Sequence, residues 1–344
     1  MAKLYLHIGS GKAGSTSLQN WMFAARDPLN QMGLHYIQGV GKGNHVGFAQ
    51  FALSDDREVG ITAHIPRSSA EMEKWRGDFK KKLVEEVETK AKEGMHGFIA
   101  SSENLLLDVT SLDEVRRLNE LLRETFDQVE VLVFLKRQDL FAVSQHNDAI
   151  KGYRCTDRDP FSYIEKTKFI NFLEYNKRLD LWARGMSAAQ ITVRANVDAV
   201  TEAADIIGTV DLSEQISVAR ENAALVAPAM EVIRRLNLLT TKSRKAKLGV
   251  WCYHELTSDF GGRGLYPSRQ SAEEFLERFS ASNDRLRRRW FPASADVFGT
   301  DFAMYDETAD YEKLRPRHLR EWMSDQRVRE AIANVAIRGV LEAD

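Results

Sequence analysis

Apolar residues follow two rhythms along residues 1–212 of this chain: short unbroken runs, and longer stretches in which they recur every three or four positions. The first rhythm marks strands buried on both faces, the second amphipathic helices. "KLYLHI" (3–8) is a run that stops at a glycine-rich segment, and after it Leu18, Trp21, Met22 and Ala25 share one helical face until Pro28 ends the pattern. A long helix is predicted over Ser69 to Lys92, where Met72, Trp75, Phe79 and Leu83 recur among charges, Lys80 to Lys82 form a solvated face and Gly94 follows. Phe98-Ile99-Ala100 predicts a second strand ending at Ser101-Ser102-Glu103, and a helix over Leu112 to Phe126 leads to the clearest strand, 129–135. A helix carrying Phe172, Tyr175, Leu179 and Trp182 precedes a last strand, "QITVRA".

Strands alternating with helices predict an α/β fold with a parallel central sheet flanked by helices. In such sheets ligands bind beyond the carboxyl ends of the strands, where "GSGKAGST", "SSEN" and "KRQD" all fall. From about residue 213 onward the pattern is mainly helical, strongest in "APAMEVIRRLNLL" and "SAEEFLERFSASNDRLRRRWF". Without a linker or repeat, the expectation is one domain over 1–344: an α/β core to about 212 and a helical region over 213–344 on the acceptor side.

Composition narrows the class. With 48 basic and 50 acidic residues the net charge is −2, so no global field favours nucleic acid or an anionic membrane. The two cysteines, Cys155 and Cys252, lack the spacing of a zinc or redox site and are expected to be reduced thiols. "MAKLYLHIG" is too short an apolar run for a signal peptide, and no run is long enough to span a bilayer, so a cytoplasmic enzyme is expected. Eight histidines occur without metal-binding spacing, and no metal is expected.

The chemistry begins with "HIGSGKAGST" (7–16). A strand, a turn with Gly9, Gly11 and Gly14, and then a helix direct backbone N–H groups and a positive helix end at one point, which suits a phosphate. Ser15, Thr16 and Ser17 add hydroxyls there. The bland alternative is a tight turn with a capped helix and no ligand. An ATP-binding loop places its lysine directly after the last glycine, whereas here Ser15 follows Gly14, and strand 129–135 runs into Lys136-Arg137 instead of a magnesium-binding aspartate. A nucleotide-dependent kinase is thereby disfavoured; a non-catalytic nucleotide-binding protein is the reading from another class.

"HIGSGKAGSTSLQ" resembles the 5′-phosphosulfate loop of sulfotransferases that use 3′-phosphoadenosine 5′-phosphosulfate (PAPS), matching it in the order Lys12, Gly14, Ser15, Thr16. In "KRQDLFAVSQHNDAIKG", Lys136 stands eight residues before Ser144, similar to the family's 3′-phosphate motif; the bacterial branch usually begins this stretch with two arginines. "SSENL", "EYNKRLDLWA", "VIRRLN" and "FSASNDRLRRRWF" extend the resemblance over most of the chain, while the family's arginine-proline-phenylalanine is kept only in part as Arg194-Ala195-Asn196. It implies a P-loop NTPase-like sulfotransferase fold and transfer of a sulfuryl group to an acceptor hydroxyl (carbohydrate, lipid or small alcohol), with release of adenosine 3′,5′-bisphosphate. It also implies that Gly11, Lys12, Ala13, Gly14, Ser15, Thr16 and Ser17 hold the 5′-phosphosulfate, and that Lys136 or Arg137, with Ser144, holds the 3′-phosphate.

Within that resemblance Lys12 offsets charge on the bridging oxygen. Glu103 stands where many cytosolic members carry a catalytic histidine and related carbohydrate enzymes a glutamate base, in a cleft expected to raise its pKa. The alternative is a helix cap or an ion pair. His45 is the rival base. Arg285, Arg287, Arg288 and Arg289 read as a solvated helix face, with attraction of an anionic acceptor as the alternative, and Trp251 and Tyr253 as core aromatics, with stacking on a sugar as the alternative.

Overall fold

The structure, a computed structural model, describes residues 1–41, 43–62, 65, 68–152, 154–187, 189–218, 225–239 and 262–314, together with 317, 320, 321, 324–326 and 328–330. Trp251, Cys252 and Tyr253 lie outside these residues. The chain forms two compact units interleaved in sequence. The first comprises Met1–Lys136, Tyr175–Glu221 and Arg285–Phe298; the second comprises Arg137–Glu174, Asn222–Asp284 and Gly299–Asp344.

The first unit holds a sheet of five parallel strands, β1 (Lys3–Gly9), β2 (Leu34–Tyr36), β3 (Gly97–Ser101), β4 (Gln128–Leu135) and β5 (Gln190–Ala195), in the order β2-β3-β1-β4-β5. Its helices are α1 (Ser15–Ala24), α2 (Arg26–Gln31), α3 (Val46–Ala52), α4 (Ser69–Lys92), α5 (Asn104–Asp108) and α6 (Leu112–Thr125). The chain then enters the second unit for α7 (Gln138–Lys151), α8 (Pro160–Glu165) and α9 (Phe169–Phe172), and returns for α10 (Tyr175–Gly185), α11 (Ala199–Ile207) and α12 (Val210–Gln215). Every described element beyond β5 is a helix. No helix among the described residues is long and apolar enough to cross a membrane.

Side chains of adjacent strand residues point to opposite faces, so a parallel sheet needs cover on both. On one face Ile99, Leu132 and Phe134 meet Leu18, Trp21 and Met22 of α1, Leu29 of α2, and Ala199, Ala203 and Ile207 of α11. Elsewhere in the unit α6 packs on β4 and α10, and a Cβ at Gly185 would collide with Val115, so α10 approaches α6 at a separation that glycine permits. Local signals set the ends. Ser68 caps α4, a Ser111–Glu114 capping box starts α6, and Asp198 caps α11. Pro28 does not follow α1 as a stop: α1 ends at Ala24, and Pro28 lies in the first turn of α2, where its missing N–H costs no helical bond. The three-residue β2, "LHY", is too short to announce itself as a run.

The second unit is helical in its described elements: α7, α8, α9, α13 (Ala227–Leu239), α14 (Arg269–Glu277), the start of α15 (Ser280–Trp290) and α16 (Asp310–Lys313). Its core joins Ala149, Ile150, Met230, Ile233, Leu265 and Val328, with Phe161 stacked on Phe275 at 4.1 Å. Cys155 is a free thiol in this core, and burial pushes its pKa up to about 11.

Candidate functional site

Strand order decides where a ligand can sit in the first unit. The chain leaves β1 towards β2 on one side of the sheet, while β4 leads towards β5 on the other, so the connections diverge between β1 and β4. In open parallel sheets such a divergence, at the carboxyl ends of the strands, is the usual place for a ligand. The glycine-rich loop lies at this point: the Ser10 N–H donates to Phe134 O at 2.6 Å and the Ser10 hydroxyl to the same oxygen at 3.1 Å, two residues before Lys136. Lys136 ends this unit, and its carbonyl accepts from the Tyr175 hydroxyl at 2.8 Å.

The loop's backbone is unusual in three places: Gly9 at φ 114°, Lys12 at φ 66° and Gly14 at φ 92°. Glycine takes such angles at no steric cost, whereas a lysine there is uncommon, and residues held in sparsely populated regions cluster at functional sites. Gly14 also has no room for a side chain, since a Cβ would stand 3.0 Å from the Cβ of Ala199. No side chain caps α1 and its first turn carries no acidic residue, an arrangement in which the positive end of the helix favours negative charge. Ser15 departs from expectation: it is buried, and its hydroxyl donates to Ser10 O at 3.1 Å, closing the loop instead of facing a ligand. Gly11, Lys12, Ala13, Thr16 and Ser17 are partly exposed on the loop and the first turn of α1.

Glu103 packs against this loop, its Cα 3.2 Å from where a Cβ on Gly9 would stand and its Cγ 3.9 Å from one on Gly11. Glu103 stands at the amino end of α5 but makes no side-chain cap there. Its Oε2 accepts from Gln19 Nε2 at 2.8 Å and from Asn44 Nδ2 at 3.5 Å. Tyr36 is close enough that burial first, and the charge of Glu103 second, raise its pKa. No local pattern marks Gln19 or Asn44 as a site residue, although Gln19 ends the stretch "HIGSGKAGSTSLQ", four residues beyond Ser15.

His45 is brought close but into another role. It is wholly buried; Nε2 donates to Ile37 O at 2.6 Å and Nδ1 accepts from the Ser101 N–H at 3.1 Å. Burial lowers its pKa, and both ring nitrogens bond to backbone, of Ile37 after β2 and of Ser101 on β3.

Arg137 also departs from expectation. In the second unit its guanidinium is 2% exposed and grips Asp139 with two bonds, Nε to Oδ1 at 2.7 Å and Nη2 to Oδ2 at 2.9 Å. Nη1 donates to Asp301 O at 2.7 Å, and the ring of Phe302 lies 4.4 Å from Cζ. These bonds engage the fork with protein groups. Ser144 is half-buried on α7, in the second unit. Arg289 pairs with Asp180 at 2.5 Å and Arg287 reaches Ser294 O at 3.5 Å, contacts of a partly solvated helix face. Among the described residues no cluster of three histidine, cysteine or carboxylate side chains is placed to hold a metal ion.

Comparison with protein-family models, with curated proteins and with solved structures finds no match. The functional reading therefore rests on the residues of the site.

His7 is buried beneath the loop on β1, its Nδ1 2.8 Å from Ser101 Oγ, and burial lowers its pKa to about 3. In the unfolded chain the ring takes a proton near pH 6.5. Between these values the unfolded state binds the extra proton, so the contribution is fully present above about pH 6.5 and is lost as pH falls towards 3. Urea midpoints measured at pH 7.0, 5.5 and 4.5 are expected to fall with pH, and to fall less steeply in His7→Asn; equal slopes would remove His7 from the acid sensitivity.

Proposed function

We propose that this protein is a PAPS-dependent sulfotransferase with a P-loop-like donor site, acting on a hydroxyl-bearing acceptor such as a carbohydrate, lipid or small alcohol. The observation that carries the reading is Lys12, held at φ 66° in a glycine-rich loop at the point where the strand connections diverge, with the uncapped start of α1 beside it. A loop of backbone donors with a cation in its middle suits a phosphosulfate, whose bridging oxygen gains negative charge as the sulfuryl group leaves. In the step proposed, the acceptor oxygen forms a bond to sulfur, the bond from sulfur to the 5′-phosphate oxygen breaks, and that oxygen keeps the electron pair. The acceptor's proton passes to Glu103, whose Oε2 is held by amides and whose Oε1 has no hydrogen bond among the described residues. Lys136 is assigned to the 3′-phosphate.

Calorimetry with adenosine 3′,5′-bisphosphate and, separately, with ATP plus magnesium tests the donor. Binding of the bisphosphate with preference over ATP is expected; preference for ATP would support a kinase and end this reading. Incubation with PAPS and a panel of hydroxyl acceptors, followed by mass spectrometry for an added SO3 group, separates an enzyme from a non-catalytic nucleotide-binding protein.

A further inference from the structure

We propose that Gln19 is the positioning residue for the Glu103 carboxylate, so that α1, which presents its amino end to the donor loop, also sets the aim of the base. The inference rests on the reading of Glu103 as proton acceptor. Gln19 is 7% exposed, and its Nε2 lies 2.8 Å from Glu103 Oε2 and 3.2 Å from Ser101 Oγ. A primary amide has two N–H donors, and each is used here. The reverse orientation would set the amide oxygen against a carboxylate oxygen, two acceptors face to face, so the network selects the orientation. Ser101 is wholly buried on β3, and its Oγ is 2.8 Å from Nδ1 of His7 on β1. Gln19 is thus anchored to two central strands before it reaches Glu103.

A glutamate side chain has three rotatable torsions, and an unheld one at the edge of a cleft spends little time in any single geometry. Gln19 fixes Oε2, with Asn44 at 3.5 Å as a weaker second donor, and leaves Oε1 for the acceptor proton. Fixing a reacting group in advance removes ordering cost from the chemical step, and a displacement of about 1 Å can cost roughly 10²-fold in rate. Gln19 lies about one turn beyond Ser15 and Thr16, so one helix carries the donor-loop groups and the grip on the base.

The test is a cycle of Gln19→Leu, Glu103→Gln and the double variant, with Gln19→Met as a second apolar substitute if the leucine variant melts early. Gln19→Leu is expected to lower kcat about 10- to 100-fold with KM for donor and acceptor within about twofold, and the double variant to be no slower than Glu103→Gln alone. Multiplying losses, or a loss confined to KM, would overturn the proposal. A second readout needs no turnover. In protein labelled with 15N-glutamine, the side-chain amide signal that vanishes in Gln19→Leu is expected to move in Glu103→Ala, and a stationary signal would refute the contact. If wild-type protein transfers no sulfuryl group, the functional reading fails while this signal still decides whether Gln19 holds Glu103.

Discussion

On the proposed sulfotransferase reading, Lys12→Gly is expected to reduce turnover by roughly 10³-fold, while relief of backbone strain offsets stability lost with the side chain's own contacts. The two effects have opposite origins. At φ 66° a side chain with a Cβ is strained by about 1–2 kcal/mol, and glycine relieves that strain, offset in part by the greater freedom it gives the unfolded chain. In the loop itself Gly9, Ser10, Gly11, Ala13 and Gly14 carry no positive charge that could stand in for the ammonium group in the proposed step. Single-turnover rates with PAPS read the loss, and melting curves read the fold. Near-normal turnover in Lys12→Gly would exclude the role, while a lower melting temperature would show that Lys12 serves the fold as well. Lys12→Ala, which keeps a Cβ, is expected to lose the same activity without gaining stability.

The second large effect falls on stability. Arg137→Ala is expected to cost about 3–5 kcal/mol, because it strands a buried carboxylate. Asp139 is wholly buried, and it receives two bonds from Arg137 and one from the Tyr305 hydroxyl at 2.6 Å. Tyr305 cannot replace the lost positive charge. Its own pKa is raised by burial and by Asp139, so it stays a neutral donor. Removing both members of the ion pair is a different experiment: Arg137→Met with Asp139→Leu leaves no buried charge and is expected to recover much of the loss. Chemical denaturation of Arg137→Met, Asp139→Leu and the double variant, beside Arg137→Ala, checks this, and additive losses in the double variant would show that the pair is not a unit. Were Arg137 a phosphate ligand, nucleotide affinity would fall with stability unchanged; the ion pair predicts that stability falls instead.

Much of the fold was legible locally. α4 spans the predicted Ser69–Lys92, and the runs at 3–8, 98–100, 129–135 and 190–195 lie in β1, β3, β4 and β5. Burial on both faces demands unbroken apolar sequence, and amphipathic helices demand recurrence near 3.6, so these elements declare themselves. Other features were hidden. β2 is three residues long, and the helix carrying Phe172 to Trp182 divides into α9 and α10, a break that spacing alone did not reveal. Of the site, the glycines and Lys12 were visible because a turn needs special dihedrals at fixed positions.

Partnership was not visible. Arg137 and Lys136 are neighbours of similar chemistry, yet one fork closes on Asp139 and Asp301, which lies 164 residues away. His45 reads in sequence as a loop histidine, whereas its ring lies against the backbone of Ile37 and Ser101. Gln19 reaches Glu103 across 84 residues only because β1 and β3 are neighbours in the sheet. The sequence by itself determined the strand runs, the helical faces and a phosphate-suited loop with a lysine inside it, since each depends on residues a few positions apart. Which side chains meet at that loop was decided by the order β2-β3-β1-β4-β5. Strand order depends on long-range pairing, and no local periodicity encodes it.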